Sequence, residues 1–288
     1  MSDTDGAQET GVNPGPPAGI ASAKSGSPHA ATSGAQQVNS AYHRRVAFPN
    51  ELGISTSRQL QNTTSTQRPG LIVPVGSTEQ HGPHLPLDTD TRIAAAVSDV
   101  LAARLQAYED SSWLVAPAVA YGASGEHEGF SGTVSIGTPA LAKLVVEFAR
   151  SACRWAGRLV FVNGHGGNVA ALRDAAALLR HEGRDAAWCP CAARDSDAHA
   201  GHTETSVLLH ISPEVVRQDE LVPGNRAPLT DLMPAMRRGG VAAVSSLGVL
   251  GDPTTATAED GGRIFAEMVD GCVERVRRWT PDREGMLR

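Results

Sequence analysis

The run Arg158-Leu-Val-Phe-Val-Asn163, closed by Gly164-His165-Gly-Gly-Asn168 and followed at once by a helical pattern, constrains this chain more than any other feature. A short apolar run that ends in a glycine-rich turn and re-emerges with 3.6-residue periodicity is a β-α unit. Such units repeat here. Leu71-Ile-Val-Pro-Val-Gly76 reads as a buried strand, although Pro74 argues against pairing on both sides. Leu114-Val-Ala-Pro-Ala-Val119 is a second candidate. Apolar residues at Ile93, Val97, Val100, Leu101 and Leu105 predict a helix over 91–105. The same spacing predicts helices over 139–155, with Thr138 as N-cap, over 168–180 and over 259–279. Strands alternating with helices predict an α/β fold whose mostly parallel sheet is covered on both faces.

Residues 1–38 stand outside this pattern. They are rich in Gly, Pro, Ala and Ser, carry no aromatic residue, and cannot bury enough apolar area to offset ordering entropy. A disordered tail is expected there, with one folded domain over 39–288. The start lacks the basic and apolar regions of a secretory signal. No run approaches the roughly 18 apolar residues of a membrane span. With 25 Lys+Arg against 31 Asp+Glu, the net charge of −6 argues against a nucleic-acid or anionic-membrane surface. The four cysteines are too few for a disulfide scaffold, and Cys189-Pro-Cys191 has no neighbouring pair to complete a zinc knuckle. Reduced thiols in a cytoplasmic protein are expected.

Three polar clusters each follow a strand, and in open α/β sheets ligands gather beyond the carboxyl ends of the strands. In Gly76-Ser-Thr-Glu79-Gln-His81-Gly-Pro-His84-Leu-Pro-Leu-Asp88-Thr-Asp90, Glu79 and His81 project to one side of an extended segment. With Asp90 they form a ligand set suited to a first-row metal. Either Asp88 or Asp90 could instead cap the helix that follows. His165 sits on its glycine turn as a ligand or as a hydrogen-bonded turn residue. The third cluster, Asp195-Ser-Asp197-Ala-His199-Ala-Gly-His202-Thr-Glu204-Thr-Ser206, offers Glu204 as a ligand and one histidine for proton transfer. Alternatively, Thr203 or Ser206 caps a helix with Glu204 in its first turn. Tyr121-Gly-Ala-Ser-Gly-Glu126-His127-Glu-Gly-Phe130-Ser-Gly-Thr133 reads as a lip over such a site. There is no G-x-S-x-G elbow and no H-E-x-x-H, which excludes the common serine-hydrolase and helical zinc-protease arrangements.

At these residues the chain resembles the creatininase (creatinine amidohydrolase) family over nearly all of 40–288. The stretch from Gly76 to Asp90 is similar to the family signature. Asn163 to Asn168, His199 to Ser206 and Gly251-Asp-Pro-Thr-Thr-Ala-Thr-Ala-Glu259 resemble further blocks in the same order. The resemblance implies a three-layer α/β/α creatininase-like fold and two divalent ions, iron or zinc, per subunit. It places Glu79, His81, Asp90 and His165 as ligands, with Asp90 bridging, and His199 as the catalytic histidine. Creatininase carries a glutamate where this chain has Gly167, which points away from creatinine itself and makes Glu204 the substitute ligand. Ser40-Ala-Tyr-His-Arg-Arg45 and the lip most resemble the mycofactocin-system branch of the family. That branch implies removal of a modified C-terminal Val-Tyr-derived dipeptide from a precursor peptide, by a cytoplasmic homo-oligomer. Hydrolysis of a small cyclic amide or formamide is the other activity the family implies. Tyr121, His127 and Phe130, with Trp188, are the expected contacts to the substrate.

Overall fold

The computed structural model describes residues 50–108 and 112–288, so the expected tail over 1–38 and the opening over 40–45 lie outside the described residues. Four parallel strands form the sheet: β1 Gly70–Val75, β2 Trp113–Val115, β3 Arg158–Asn163 and β4 Ala186–Pro190, in the order β2-β1-β3-β4. The α-helices among the described residues are α1 Ser57–Thr66, α2 Thr89–Tyr108, α3 Gly137–Ala152, α4 Val169–His181, α5 His202–Ile211, α6 Leu229–Gly239 and α7 Ala258–Arg278.

Alternation along the strands builds two cores. Ile72, Val160, Val162 and Ala187 face one side and pack with Val97 and Leu101 of α2, Leu208 of α5 and Val269 of α7. Leu71, Val73, Leu159 and Phe161 face the other and pack with Leu141 and Val145 of α3 and Leu172 of α4. The result is the expected three-layer α/β/α arrangement, with β1 and β3 buried in the middle. Phe161 is 1% exposed and meets Phe148 edge-on at 6.1 Å. Phe161→Ala should therefore cost about 3–5 kcal/mol of stability, read from urea unfolding.

Pro74 proves compatible with an interior strand. The carbonyls of Ile72 and Pro74 face the β2 side, where they accept from Ala116 and Val119 at 2.8 and 2.9 Å. The missing N–H therefore faces a side on which β2 has already ended at Val115, and the β1–β3 ladder runs unbroken from Gly70 to Val75. The expected strand over 114–119 shortens accordingly to Trp113–Val115 plus an isolated bridge at Val119. Thr138 does not cap α3. It lies inside the helix, which begins at Gly137 with Ile136 in the cap position and no side-chain cap. All four cysteines are free thiols, and Cys189 and Cys272 place their sulfurs 3.8 Å apart. Among the described residues no helix is long and apolar enough to cross a membrane.

Candidate metal centre

Three strands deliver the polar clusters to one end of the sheet. β1 runs into the segment bearing Glu79 and His81, β3 ends one residue before Gly164-His165, and β4 leads into the loop that carries His199 and the start of α5. Two asparagines bind the turns together. Asn168 donates to the Gly76 carbonyl at 2.9 Å and accepts from the Ala123 N–H at 2.9 Å, while Asn163 donates to the His165 carbonyl at 2.7 Å. Gly164 allows the close approach of β3 to α2, since a Cβ there would lie 2.5 Å from the Asp90 carbonyl oxygen. That contact sets His165 against the first turn of α2.

Asp90, 2% exposed, occupies the centre. One carboxylate oxygen lies 3.1 Å from His81 Nε2; the other accepts from Ser77 Oγ at 2.7 Å and lies 3.2 Å from His165 Nδ1. Asp88 is left outside, paired with Arg92 at 2.8 Å, so the choice between the two aspartates is resolved by position. Ligand atoms of Glu79, Asp90 and His165 lie within 4.8 Å of one another, as do those of His81, Asp90 and Glu204 and those of Glu79, His81 and His199. Two of these triads share Asp90.

Glu79 supplies the sharpest sign that a cation belongs here. It is wholly buried, yet neither carboxylate oxygen has a hydrogen-bond partner; the Nε2 atoms of His127 and His165 lie 3.3 and 3.2 Å away. A buried carboxylate without such partners is costly unless a cation is coordinated. Burial, reinforced by the charge of Asp90, pushes Glu79 up to about 7, and burial also pushes Glu204 up to about 7. Burial disfavours the charged forms of His81 and His165, but Asp90 together with the neighbouring glutamates outweighs it and raises them to about 10 and about 9. Without metal, protons on these imidazoles hold the carboxylates together.

Those values carry a consequence for the metal-free protein. Between pH 7 and 10 the unfolded histidines are already neutral, whereas folded His81 and His165 keep their protons until about 10 and about 9. Their stabilisation, complete below about 6.5, should be lost as pH rises through that window. Metal-loaded protein, whose ligands are already deprotonated, should lack the slope. Thermal melting of both forms at stepped pH reads the difference.

His199 and His127 flank the triads, their rings 4.3 Å apart. Gln80, buried at 5%, organises both: its amide lies 2.9 Å from His127 Nδ1 and 3.2 Å from the Gly248 carbonyl, and its own backbone carbonyl lies 2.8 Å from His199 Nε2. The Gln80 amide also lies 3.0 Å from His199 Nε2, but its two protons are used by His127 and Gly248, so the arrangement is satisfied when His199 donates from Nε2, which leaves Nδ1 as an acceptor 3.8 Å from Glu79. Burial and the charge of His81 hold His199 well below the usual imidazole range, and burial with His165 lowers His127 to about 3. Both rings are neutral.

Glu204 reaches the cluster from the first turn of α5, 3.8 Å from His81, with its carboxylate accepting from the Ala200 N–H at 2.6 Å. Neither Thr203 nor Ser206 caps that helix; Asp197 does, accepting from the N–H groups of His202 and Thr203. His202 points away, to Thr255 at 2.9 Å. Gly167 is required by crowding. A Cβ there would fall 2.3 Å from the Ala123 carbonyl, 2.4 Å from His165 Nε2 and 2.6 Å from Glu126 Oε1. Glu126, carried by the lip, thus fills the space beside the glycine and lies 3.6 Å from His165.

A cavity of about 450 Å³ opens over the centre, lined in part by Asp90, Glu126, His127, His165, His199 and Glu204. The aromatic residues expected to meet substrate are not placed on it. Tyr121 is 51% exposed and outside the lining, and Phe130 packs against Leu232, Val241 and Leu250 in a separate cluster. Trp188 is a core residue of β4, its indole donating to the Glu284 carbonyl at 3.1 Å. Sequence reasoning had no signal for the methionines of α6 that line the far wall, or for Gln80 as the organiser of two histidines.

Known proteins resemble this chain over most of its length. The sequence profile described as "Creatinine amidohydrolase" matches residues 55–276. A Mycolicibacterium smegmatis protein named mycofactocin precursor peptide peptidase is 69% identical over 250 residues, covering 87% of this chain and all of that protein. A Mycobacterium tuberculosis protein of the same name is 64% identical over 254 residues, with the same coverage. A solved structure titled "Creatininase Mn" superposes with a TM-score of 0.68 at 27% identity, covering 81% of this chain and 99% of that one.

Proposed function

The chain belongs to the creatinine amidohydrolase family and is a hydrolase of amide bonds, and we propose that its substrate is the mycofactocin precursor peptide, from which it removes the modified C-terminal Val-Tyr-derived dipeptide. The observation that carries the substrate is the likeness to peptidases of that name along their entire length. The reading includes two divalent ions per subunit, iron or zinc, a cytoplasmic location, a homo-oligomeric state, and no nucleic-acid or membrane partner.

The donors fit the ions. Glu79 and His165 would hold one and His81 and Glu204 the other, with Asp90 offering an oxygen to each, and the unpartnered carboxylate of Glu79 is the buried group that a cation satisfies. Bound there, divalent ions supply Lewis acidity towards the carbonyl and lower the pKa of water. The remaining work falls to side chains. His199 lines the cavity and presents an unprotonated Nδ1 3.8 Å from Glu79, held in orientation by the Gln80 carbonyl at 2.8 Å from Nε2. It takes a proton from the attacking water and passes it to the departing nitrogen, which as an amide anion would leave poorly. His127, fixed by the Gln80 amide, lines the cavity beside His199. Glu126 stands at the same wall, where its carboxylate meets the ammonium formed on the released fragment.

Mass spectrometry of the modified precursor peptide, after incubation with anaerobically purified, iron-loaded enzyme, tests the reading. Release of a dipeptide-sized C-terminal fragment, absent with His81→Ala, is the expected result. An intact peptide in the presence of folded, metal-loaded enzyme would overturn the peptide assignment and direct attention to cyclic amides and formamides.

A further inference from the structure

The cavity over the metal centre has two sides of opposite chemistry. Carboxylates and imidazoles form one; Leu229, Met233 and Met236 of α6, with Val241 and Leu250, form the other, where Arg237 of α6 is the one charged residue. An amphipathic helix ordinarily buries its apolar stripe in a core. α6 does so only in part: Leu232 is buried and Met236 packs against the cluster it forms with Val241 and Leu250, while Leu229 is 44% exposed and both methionines stay half-buried where they line the cavity. The cavity-lining part of the apolar face is therefore available to whatever enters. Methionine suits that task, since its unbranched, polarisable thioether adapts to a ring or a branched chain and makes favourable contacts with aromatic edges. The volume of about 450 Å³ lies within the range of small-ligand sites.

We propose that Met233 and Met236 form the specificity wall of the enzyme, seating a bulky apolar side group carried by the released fragment next to the scissile amide. A group resting on α6 leaves the adjoining amide facing Asp90 and His199 across the cavity. This rests on the reading of the protein as a peptide hydrolase. It also replaces Tyr121, Phe130 and Trp188, none of which lines the cavity, Phe130 packing instead against the wall residues Val241 and Leu250.

The chain has five methionines, which makes a direct readout possible. Zinc-loaded protein labelled with ¹³C at the methionine methyls would be titrated with 2-phenylethylamine and, separately, with ethylamine. Saturable shifts of the Met233 and Met236 signals by the first amine alone, with the core methyl of Met268 unmoved, are expected. In parallel, Met233→Ala and Met236→Ala would be assayed on two precursor peptides that differ only in a bulky or an alanine side group on the released side. The variants should lose roughly 10–200-fold in kcat/KM on the bulky peptide and little on the other. Equal losses on both peptides, or methyl signals blind to 2-phenylethylamine, would overturn the wall. If wild-type enzyme cleaves neither peptide while the methyl shifts appear, the peptidase reading fails and the apolar subsite stands.

Discussion

Asp90→Asn should empty the centre of metal and abolish hydrolysis together. The substitution keeps the shape of the side chain and removes its charge, so its effect isolates the role of the carboxylate. Asp90 belongs to two of the three donor triads and joins the Glu79–His165 pair to the His81–Glu204 pair, and each of its oxygens faces a different histidine, at 3.1 and 3.2 Å. Although burial opposes it, the charges of His81 and His165 hold Asp90 well below the usual carboxylate range, so it is ionised at any working pH. An asparagine amide offers at most one neutral oxygen and cannot serve both sides. Lewis acidity contributes several kcal/mol to such reactions, so kcat/KM should fall by at least about 10³-fold. Plasma mass spectrometry for metal and the rate should be read on one preparation. Retained metal at wild-type stoichiometry, or a rate within tenfold of wild type, would remove Asp90 from the centre of the argument.

The legibility of this site in the sequence followed the range of the interaction. Glu79, His81 and Asp90 were readable because one extended segment and one helix start place them, with the spacing set locally. His165 was readable because a strand, a glycine turn and a helix leave it nowhere else to project. Asp88 and Asp90 could not be separated by spacing, since both precede or open a helix, and only the approach of Gly164 to α2 decides which is enclosed. Pro74 misled because its effect depends on where a neighbouring strand ends, a property of residues about 40 positions away. The aromatic residues misled for a different reason. Burial follows the layer a residue falls in, and Trp188 lies in a strand that faces α3 and α4. The methionines of α6 were invisible because an apolar helix face reads alike whether it covers a core or a cavity.

His199→Ala should retain metal and lose turnover, the opposite division from Asp90→Asn. His199 lies outside both triads that share Asp90, and its Nε2 is already engaged by the Gln80 carbonyl at 2.8 Å. What the variant removes is the acceptor Nδ1 beside Glu79. Positioned proton transfer contributes typically 10²–10⁴-fold, so kcat should fall on that scale while KM changes little. The ring also lies 4.3 Å from His81 and near Glu79, so a ligand role is the alternative to be separated. Metal content separates them. A variant that binds metal normally and turns over slowly has lost a proton carrier. One that loses metal in proportion to rate would place His199 among the ligands, in the set it forms with Glu79 and His81, and would pass the proton transfer to Glu126 on the cavity wall.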